Sequence, residues 1–154
     1  MYYTLCHIIC QYKATKKASE KKKTNVIALE LPKGKIITGK QTDLLSPASS
    51  VIINAIKELS KIPDEINLLS PTILEPILKL RKNNNTLSLQ EVLIALAVCS
   101  VTNPSIASAL EKLEVLKDCE AHATYIVTNG DLKALKSLKI NLTCEPNFYS
   151  KEIM

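Results

Sequence analysis

The residue types best suited to acid–base chemistry fall together in one short string, CEAHAT, at residues 119–124. Side chains alternate between the two faces of a β-strand, so a strand here places Glu120, His122 and Thr124 on one face and Cys119 on the other. His122 is the strongest single candidate for a catalytic acid or base, because an unperturbed imidazole titrates near neutral pH. Glu120 is the second candidate, and Thr124 would support them.

Cys144 ends the last predicted strand of the chain, and Glu145 follows it directly. If that strand pairs beside residues 119–124, cysteine, histidine and glutamate side chains approach one another and could hold zinc or pair a base with a nucleophile. The spacings match no standard zinc pattern, so we assign no metal ligand, and the residues indicate no particular cofactor. The alternative is a buried histidine that is satisfied by hydrogen bonds and flanked by ordinary core cysteines.

A candidate anion site lies nearer the N-terminus. Residues 34–40 (GKIITGK) have the GxxxxGK spacing of a phosphate-binding loop, but the β-branched residues predict a strand, and Gln41 stands where that loop needs serine or threonine. Hydroxyl groups, an amine and backbone amides close to a predicted helix N-terminus would still suit an anion. These residues are Thr38, Gly39, Lys40 and Thr42. The alternative is that Thr42 and Asp43 cap a turn and that Lys40 is solvated.

Composition and charge limit the class of protein. The chain has 154 residues, enough for one domain, and its net charge of +5 equals that of the stretch from Lys13 to Lys23, with six lysines and one glutamate. Because this stretch lacks arginine and aromatic residues, we expect a solvated segment and no nucleic-acid site. The longest apolar run, Val92–Cys99, is far shorter than the roughly 20 residues of a membrane helix. Five cysteines without a CxxC pair favour reduced thiols, and we therefore expect a cytoplasmic protein.

The elements that must position these residues follow from local patterns. We predict an N-terminal strand within residues 1–11, an exposed lysine-rich segment at 12–24, a single α/β domain at 25–150 and a tail at 151–154. Strands at residues 25–31 and 35–39 flank Pro32-Lys33-Gly34, which predicts a β-hairpin. The order strand, helix, strand at residues 121–127, 131–138 and 140–144 predicts a parallel β-α-β unit.

Between these units the sequence predicts capped helices. Ser46-Pro47, Ser70-Pro71 and Asn103-Pro104 are each typical of a helix start, and Pro76 should kink or split the second helix. Ser88 and Glu91 form a capping box, and the helix after it (to about residue 101) is apolar nearly all round, so we expect it at the centre of the core. The fold class is therefore α/β or α+β, with a hairpin, a helix cluster and a β-α-β unit around one mixed sheet.

Several strings of the chain resemble one bacterial family, the uncharacterised protein family 0371, also catalogued as a domain of unknown function. They are TNVIALELPKGKIITGKQTDLL (24–45), LLSPTILEPILKL (68–80), EVLIALAVCSVTNP (91–104), CEAHAT (119–124) and INLTCEP (140–146). The resemblance covers roughly residues 12–150 and corresponds to the C-terminal part of longer proteins. It implies a preceding nucleotide-binding-like α/β region, as a domain or a separate chain, and it supplies no established activity.

Three hypotheses about function remain open. In the first, the chain is the C-terminal domain of a larger or two-part enzyme-like protein that binds an anionic or phosphorylated small molecule. It predicts that Lys40, Thr38 and Thr42 converge in one cleft with Glu120 or His122. In the second, the chain is a non-catalytic oligomerisation or protein-interaction module, with an exposed apolar patch and His122 packed away from solvent. Its apolar helices and hairpin would bury a partner or another copy of the chain, and we expect a homo-oligomer. The third and weakest is nucleic-acid binding through the lysine-rich segment.

Overall fold

A β-hairpin, four α-helices and a C-terminal β-α-β unit that contains the fifth helix make up the described part of the chain, residues 24–81 and 86–144 of the computed structural model. The predicted strand within 1–11, the lysine-rich segment apart from Thr24, Glu145 and the tail lie outside the described residues. The elements are β1 (Val26–Glu30), β2 (Ile36–Lys40), α1 (Pro47–Leu59), α2 (Pro71–Lys79), α3 (Leu89–Ser100), α4 (Pro104–Glu111), a 3-10 turn (Lys112–Leu116), β3 (Glu120–Ala123), α5 (Asn129–Ser137) and β4 (Asn141–Cys144).

The predicted hairpin is confirmed. Lys33 and Gly34 take positive φ values of 79° and 87°, and the Gly34 amide donates to the Leu31 carbonyl at 2.9 Å. β1 then pairs antiparallel with β2, with Ala28 opposite Thr38. The Pro-Lys-Gly sequence explains the reversal, since glycine adopts a left-handed conformation at little cost.

The four strands form one mixed sheet in the order β2-β1-β3-β4. β1 is antiparallel to β3, whereas β3 and β4 are parallel neighbours joined through α5, as predicted. β3 ends at Ala123, four residues before the predicted end at Val127. The physical reason is that its partner β1 begins at Val26, whose backbone already bonds Thr124, so the ladder has no strand to continue along.

The two faces of the sheet differ. Ile27, Leu29, Ala121 and Ala123 belong to the main core, into which the helices also pack. Val26 and Ala28 alternate with them on the opposite face and form a separate small cluster with Ile36. This period of two decides which side chains point toward the helices and which point to the opposite face of the sheet, although a cleft at the edge strand can be lined from both faces.

The predicted helix starts are confirmed, and side-chain hydrogen bonds cap all of them except the start at Ser70. The Ser46 hydroxyl accepts from the Ser49 amide, and the Asn103 side chain accepts from the Ser105 amide. Both bonds of the capping box between Ser88 and Glu91 are present. The prediction for Pro76 is only partly right, because α2 runs unsplit through this residue. Pro76 lacks the backbone N–H that would bond a carbonyl one turn earlier in this nine-residue helix. Because Pro76 lies on the exposed side of the helix, water can solvate that carbonyl instead.

The prediction that α3 lies at the centre of the core is wrong. Leu89, Val92 and Leu96 are fully buried against the core, but Ile94 and Val98 are 58% and 67% exposed. α1, α4 and α5 all pack against the inner side of this helix. In the described ranges only the marginal helix α2 approaches its outer side, so an apolar surface remains uncovered.

Three helix N-termini are tied together at one end of the core. A parallel bridge between Leu45 and Leu87 sets the caps of α1 and α3 side by side. The buried Asp131 carboxylate, in the first turn of α5, accepts from the Leu89 amide at 2.8 Å. A negative charge at this position satisfies an orphan donor of α3 and complements the helix dipole.

Candidate anion-binding cleft

A cleft of about 570 Å³ runs between the outer edge of β2 and helix α1. Three of the four predicted anion-site residues, Thr38, Lys40 and Thr42, line this cleft. From α1 and the segment after it come Ser50, Ile53, Asn54, Lys57, Glu58, Asp64 and Asn67. The structure therefore combines the predicted end of β2 with one face of α1, whose residues were not among the predicted site residues.

The edge of β2 presents backbone groups on this side. Two hydrogen bonds at the ends of the hairpin show which residues of β2 bond to β1. The Leu31 amide donates to the Lys35 carbonyl, and the Gln41 amide donates to the Asn25 carbonyl. Antiparallel pairing alternates, so the peptide groups of Ile36, Thr38 and Lys40 face away from β1. The Asn54 side-chain amide donates to the Thr38 carbonyl at 3.0 Å and ties α1 to this edge.

Lys57 is the unusual residue of the cleft. Its side chain lines the cleft although the residue is only 5% exposed, and Nζ donates to the backbone carbonyl of Asp64 at 3.1 Å. An ammonium group has three donors, and no carboxylate in the described ranges forms an ion pair with it. A buried charge without a counter-charge is unfavourable, so this group would gain from an anion.

Ser50 adds a second unsatisfied group. The residue is 7% exposed and lines the cleft, and its hydroxyl oxygen has no hydrogen-bond partner among the described residues. Buried polar atoms in native proteins are normally hydrogen-bonded, so this one calls for an explanation. Ser50 lies on α1 two turns before Lys57, and the two residues therefore share one side of the helix.

Three lysines and two acidic residues line the cleft. Lys35 forms an ion pair with Glu58 at one end and is thereby neutralised. Of the other charged lining residues, Lys40 and Lys57 are cationic and Asp64 is anionic. Hydrogen-bond donors and positive charge within one concave site are what a phosphate or carboxylate group requires.

Thr42 caps a turn, as predicted by the alternative to an anion site. Its hydroxyl accepts from the Leu45 amide at 2.9 Å and from the Leu44 amide at 3.3 Å, so it caps the turn before α1. The hydroxyl can still donate to a ligand, since it has one proton as well as two lone pairs. Thr42 therefore lines the cleft and also has a structural role as a cap.

Gly39 serves the packing of α1 against β2. A Cβ atom at this position would overlap the backbone nitrogen of Val51. The absence of a side chain thus lets the helix approach the strand closely, which also narrows the cleft. Gly39 itself does not line the cleft.

Glu120 and His122 lie away from this cleft. His122 is buried on β3, where Nδ1 and the Thr143 hydroxyl are hydrogen-bonded at 2.8 Å. Glu120 lines a separate cavity beside β4 and accepts from the Asn141 side chain at 3.4 Å. Thr38 and His122 are both in register with Ala28, so they share one face of the sheet on either side of β1, but neither Glu120 nor His122 lines the cleft.

The cysteines lie on the other face of the sheet from His122. Cys119 belongs to the main core and Cys144 packs against it, whereas His122 bonds to Thr143 on the opposite face. Burial, then the charges of Glu30, Asp118 and Glu120, raises the pKa of the Cys119 thiol and keeps it protonated. Within residues 24–81 and 86–144 no three metal-ligating side chains come together.

Thr124, the predicted supporting residue, has a structural role. Its hydroxyl accepts from the Val26 amide at 3.1 Å and lies 3.3 Å from the Val26 carbonyl, where β1 begins. These bonds fasten the end of β3 to β1 inside the protein.

No helix of the described ranges is long and apolar enough to cross a bilayer.

Lys57 is not among the predicted site residues, although the sequence contains a pattern that points to it. Ser50, Asn54 and Lys57 are spaced four and three residues apart and so form a polar stripe on α1. This stripe runs beside the apolar stripe of Ile52 and Ile56. A lysine at the border of an apolar stripe can be exposed or buried, and only its neighbours in space decide which.

The fold and the cleft define a small α/β domain whose sheet is covered by helices on one face. Residues 9–154 match the family described as "Domain of unknown function DUF1846, C-terminal". The chain therefore belongs to this family. It is 46% identical over 133 residues to the UPF0371 protein CD630_08980 of Clostridioides difficile, which covers 83% of this chain and 26% of that protein.

Other curated relatives agree with this assignment. The UPF0371 protein CLL_A2797 of Clostridium botulinum is 48% identical over 133 residues, covering 83% of this chain and 26% of the relative. Another Clostridium botulinum UPF0371 protein is 40% identical over 146 residues, covering 92% of this chain and 29% of the relative. The resemblance found in the sequence is confirmed, and the chain spans about a quarter of the length of these bacterial relatives.

Proposed function

We propose that this domain binds a phosphorylated or otherwise anionic small molecule in the cleft between β2 and α1. The domain would contribute that binding site to the longer, enzyme-like proteins of its family. The observation that carries the proposal is the buried Lys57 ammonium, which lines the cleft and lacks an ion-pair partner in the described ranges. A bound anion would supply the missing counter-charge.

The remaining groups of the cleft support the same ligand class. Lys40, Thr38 and Asn67 add polar groups along the lining. A cavity of about 570 Å³ suits a small molecule, since ligand pockets usually measure roughly 300–1,000 Å³. The proposal concerns binding alone and assigns no proton transfer in this cleft to Glu120 or His122.

Binding of inorganic phosphate, sugar phosphates and nucleotides should be measured by thermal melts and titration calorimetry. A ligand at 100 times its dissociation constant stabilises the folded state by about 2.7 kcal/mol, which raises Tm by several degrees. We expect Lys57→Met to abolish this shift while the variant melts at or above the wild-type temperature without ligand, since it removes an unpaired buried charge.

Lys79→Met is the matched control, because Lys79 is exposed on α2 and does not line the cleft. This variant should keep the full ligand response. A Lys57→Met protein that still responds to the same ligand would refute the site. A wild-type protein that no member of the panel stabilises would refute the function.

A further inference from the structure

The outer side of α3 forms an apolar groove with α2. The groove has a volume of about 330 Å³ and lies on the surface away from the sheet. α2 contributes Ile73 and Ile77, and α3 contributes Ile94, Val98 and Cys99. Isoleucine and valine at spacings of four residues produce two facing apolar stripes, one on each helix.

The apolar surface continues past the groove along α3. Val101, at the C-terminal end of the helix, is 83% exposed and lies one turn beyond Val98. A helix that is apolar on every side is normally enclosed on every side. Here one side is enclosed by the core, and exposed apolar residues in a contiguous group are characteristic of interaction sites.

Charge contributes little to this groove. Glu91 is its charged lining residue, and its carboxylate already accepts from Arg81 at 2.8 Å and from the Ser88 amide at 2.9 Å. These bonds fix the N-terminal end of α3 and leave the rest of the groove apolar. A complementary partner must therefore present an apolar surface, and the contact should depend little on ionic strength.

We propose that this groove is the docking site for the polypeptide that precedes this domain in the longer members of the family. The matched family region is C-terminal by description, and the chain covers 26–29% of the relatives. In those relatives, about three-quarters of the protein lies outside the matched region and is joined to this domain in the same chain. The exposed side of α3 is the surface that such a neighbour would cover.

Cys99 provides a native reporter, because it is a free cysteine that lines the groove. The experiment measures the alkylation rate of Cys99 by iodoacetamide, read by peptide mass spectrometry. The full 154-residue chain is compared alone and mixed with the part of the Clostridioides difficile relative that precedes its matched region. In parallel, a chimera of that relative carries this chain in place of its matched region, so that the readout does not require the separate part to fold.

Docking should slow the alkylation of Cys99 at least tenfold in the mixture or the chimera. Ile94→Ser combined with Val98→Ser should restore the rate of the isolated chain, because it makes the groove polar. Ile66→Ser combined with Ile126→Ser is the control: both residues are about half exposed and neither lines the groove. The control should retain the protection.

Two results would overturn the inference. One is an unchanged Cys99 rate in both the mixture and a folded chimera. The other is protection that appears when the concentration of the chain alone is raised and sedimentation shows a dimer, since a second copy would then occupy the groove. Neither result depends on the anion cleft, whose Lys57→Met variant should dock normally.

Discussion

At the scale of single residues, the side chains with exposed polar atoms are less informative than the buried ones. Lys57, Asp131 and Tyr125 are all buried, and each is satisfied to a different degree. Asp131 caps α3 and has a clear structural role. Lys57 has one backbone acceptor, the Asp64 carbonyl, and is the basis of the proposed anion site.

Of these three side chains, Tyr125 has the polar group with the fewest hydrogen bonds. Its hydroxyl is buried without a hydrogen-bond partner among the described residues. Burial, followed by the negative charge of Asp131 and then Cys144, raises the pKa of the phenol above its ordinary value of 10.0. The folded state therefore holds the phenolic proton more tightly than the unfolded chain does.

This difference predicts a loss of stability in alkali. Below pH 10 both states are protonated and the full stability is present. Above pH 10 the unfolded chain ionises first, so the free energy of unfolding falls by up to about 1.4 kcal/mol per pH unit until the folded phenol also ionises. The measurement is urea unfolding between pH 8 and about 11.5, and the control is Tyr125→Phe.

Tyr125→Phe should reduce the alkaline loss, since it removes the titrating group. Near neutral pH the variant should lie within about 1 kcal/mol of the wild type, because the hydroxyl that it loses has no described partner. An alkaline profile identical to that of the wild type would show that other groups account for the loss.

At the scale of elements, the close approach of α1 to β2 forms the cleft. This approach depends on Gly39, where an added Cβ would overlap the backbone of Val51. Backbone atoms cannot move aside as a flexible side chain can. We therefore expect Gly39→Ala to lower the free energy of unfolding by about 3 kcal/mol and to weaken anion binding as α1 shifts.

Gly130→Ala is the matched control for this substitution. Gly130 lies in the first turn of α5, and an added Cβ there would meet nothing within 4 Å. Alanine favours a helix over glycine, so this variant should gain up to about 1 kcal/mol. Both values come from urea denaturation, and equal effects of the two substitutions would argue against the close approach at Gly39.

At the scale of the whole molecule, the two proposed surfaces differ in chemistry. The cleft between β2 and α1 contains lysines, whereas the groove between α2 and α3 is apolar. Salt screens the first kind of contact and leaves the second almost unchanged, and sulfate strengthens apolar contacts.

A salt series therefore separates the two interactions. Raising sodium chloride from 0.05 to about 0.5 M should weaken phosphate binding several-fold and change docking at the groove less than about twofold. Calorimetry measures the first and Cys99 protection the second. Docking that is lost in parallel with anion binding would indicate that the partner is held by charge and not by the apolar stripes.

Much of the fold follows from local sequence. The Pro32-Lys33-Gly34 turn, the caps at Ser46, Ser88 and Asn103, and the β-α-β order each act over a few residues, and the structure confirms all of them. Such patterns are reliable because hydrogen bonds between near neighbours form in the same way wherever the element is placed.

The length or burial of an element was predicted less accurately where it depends on a partner that is distant in the chain. β3 stops at Ala123 because β1 offers nothing further to pair with. α3 has no polar side that could indicate its orientation, so its sequence predicted complete burial and missed the exposed Ile94 and Val98. The length of a strand and the burial of a uniformly apolar helix depend on neighbours that are remote in the chain.

The candidate site shows the same division. Thr38, Lys40 and Thr42 were found from their types and position, because a strand end near a helix start is visible in the sequence. Lys57 joins them only because α1 folds back across β2, and His122 is separated from them only because β1 lies between β3 and β2. The sequence by itself determined the elements, the hairpin, the caps and the family. The tertiary structure decided which side chains meet and which apolar face stays open, because these depend on packing between residues far apart in the chain.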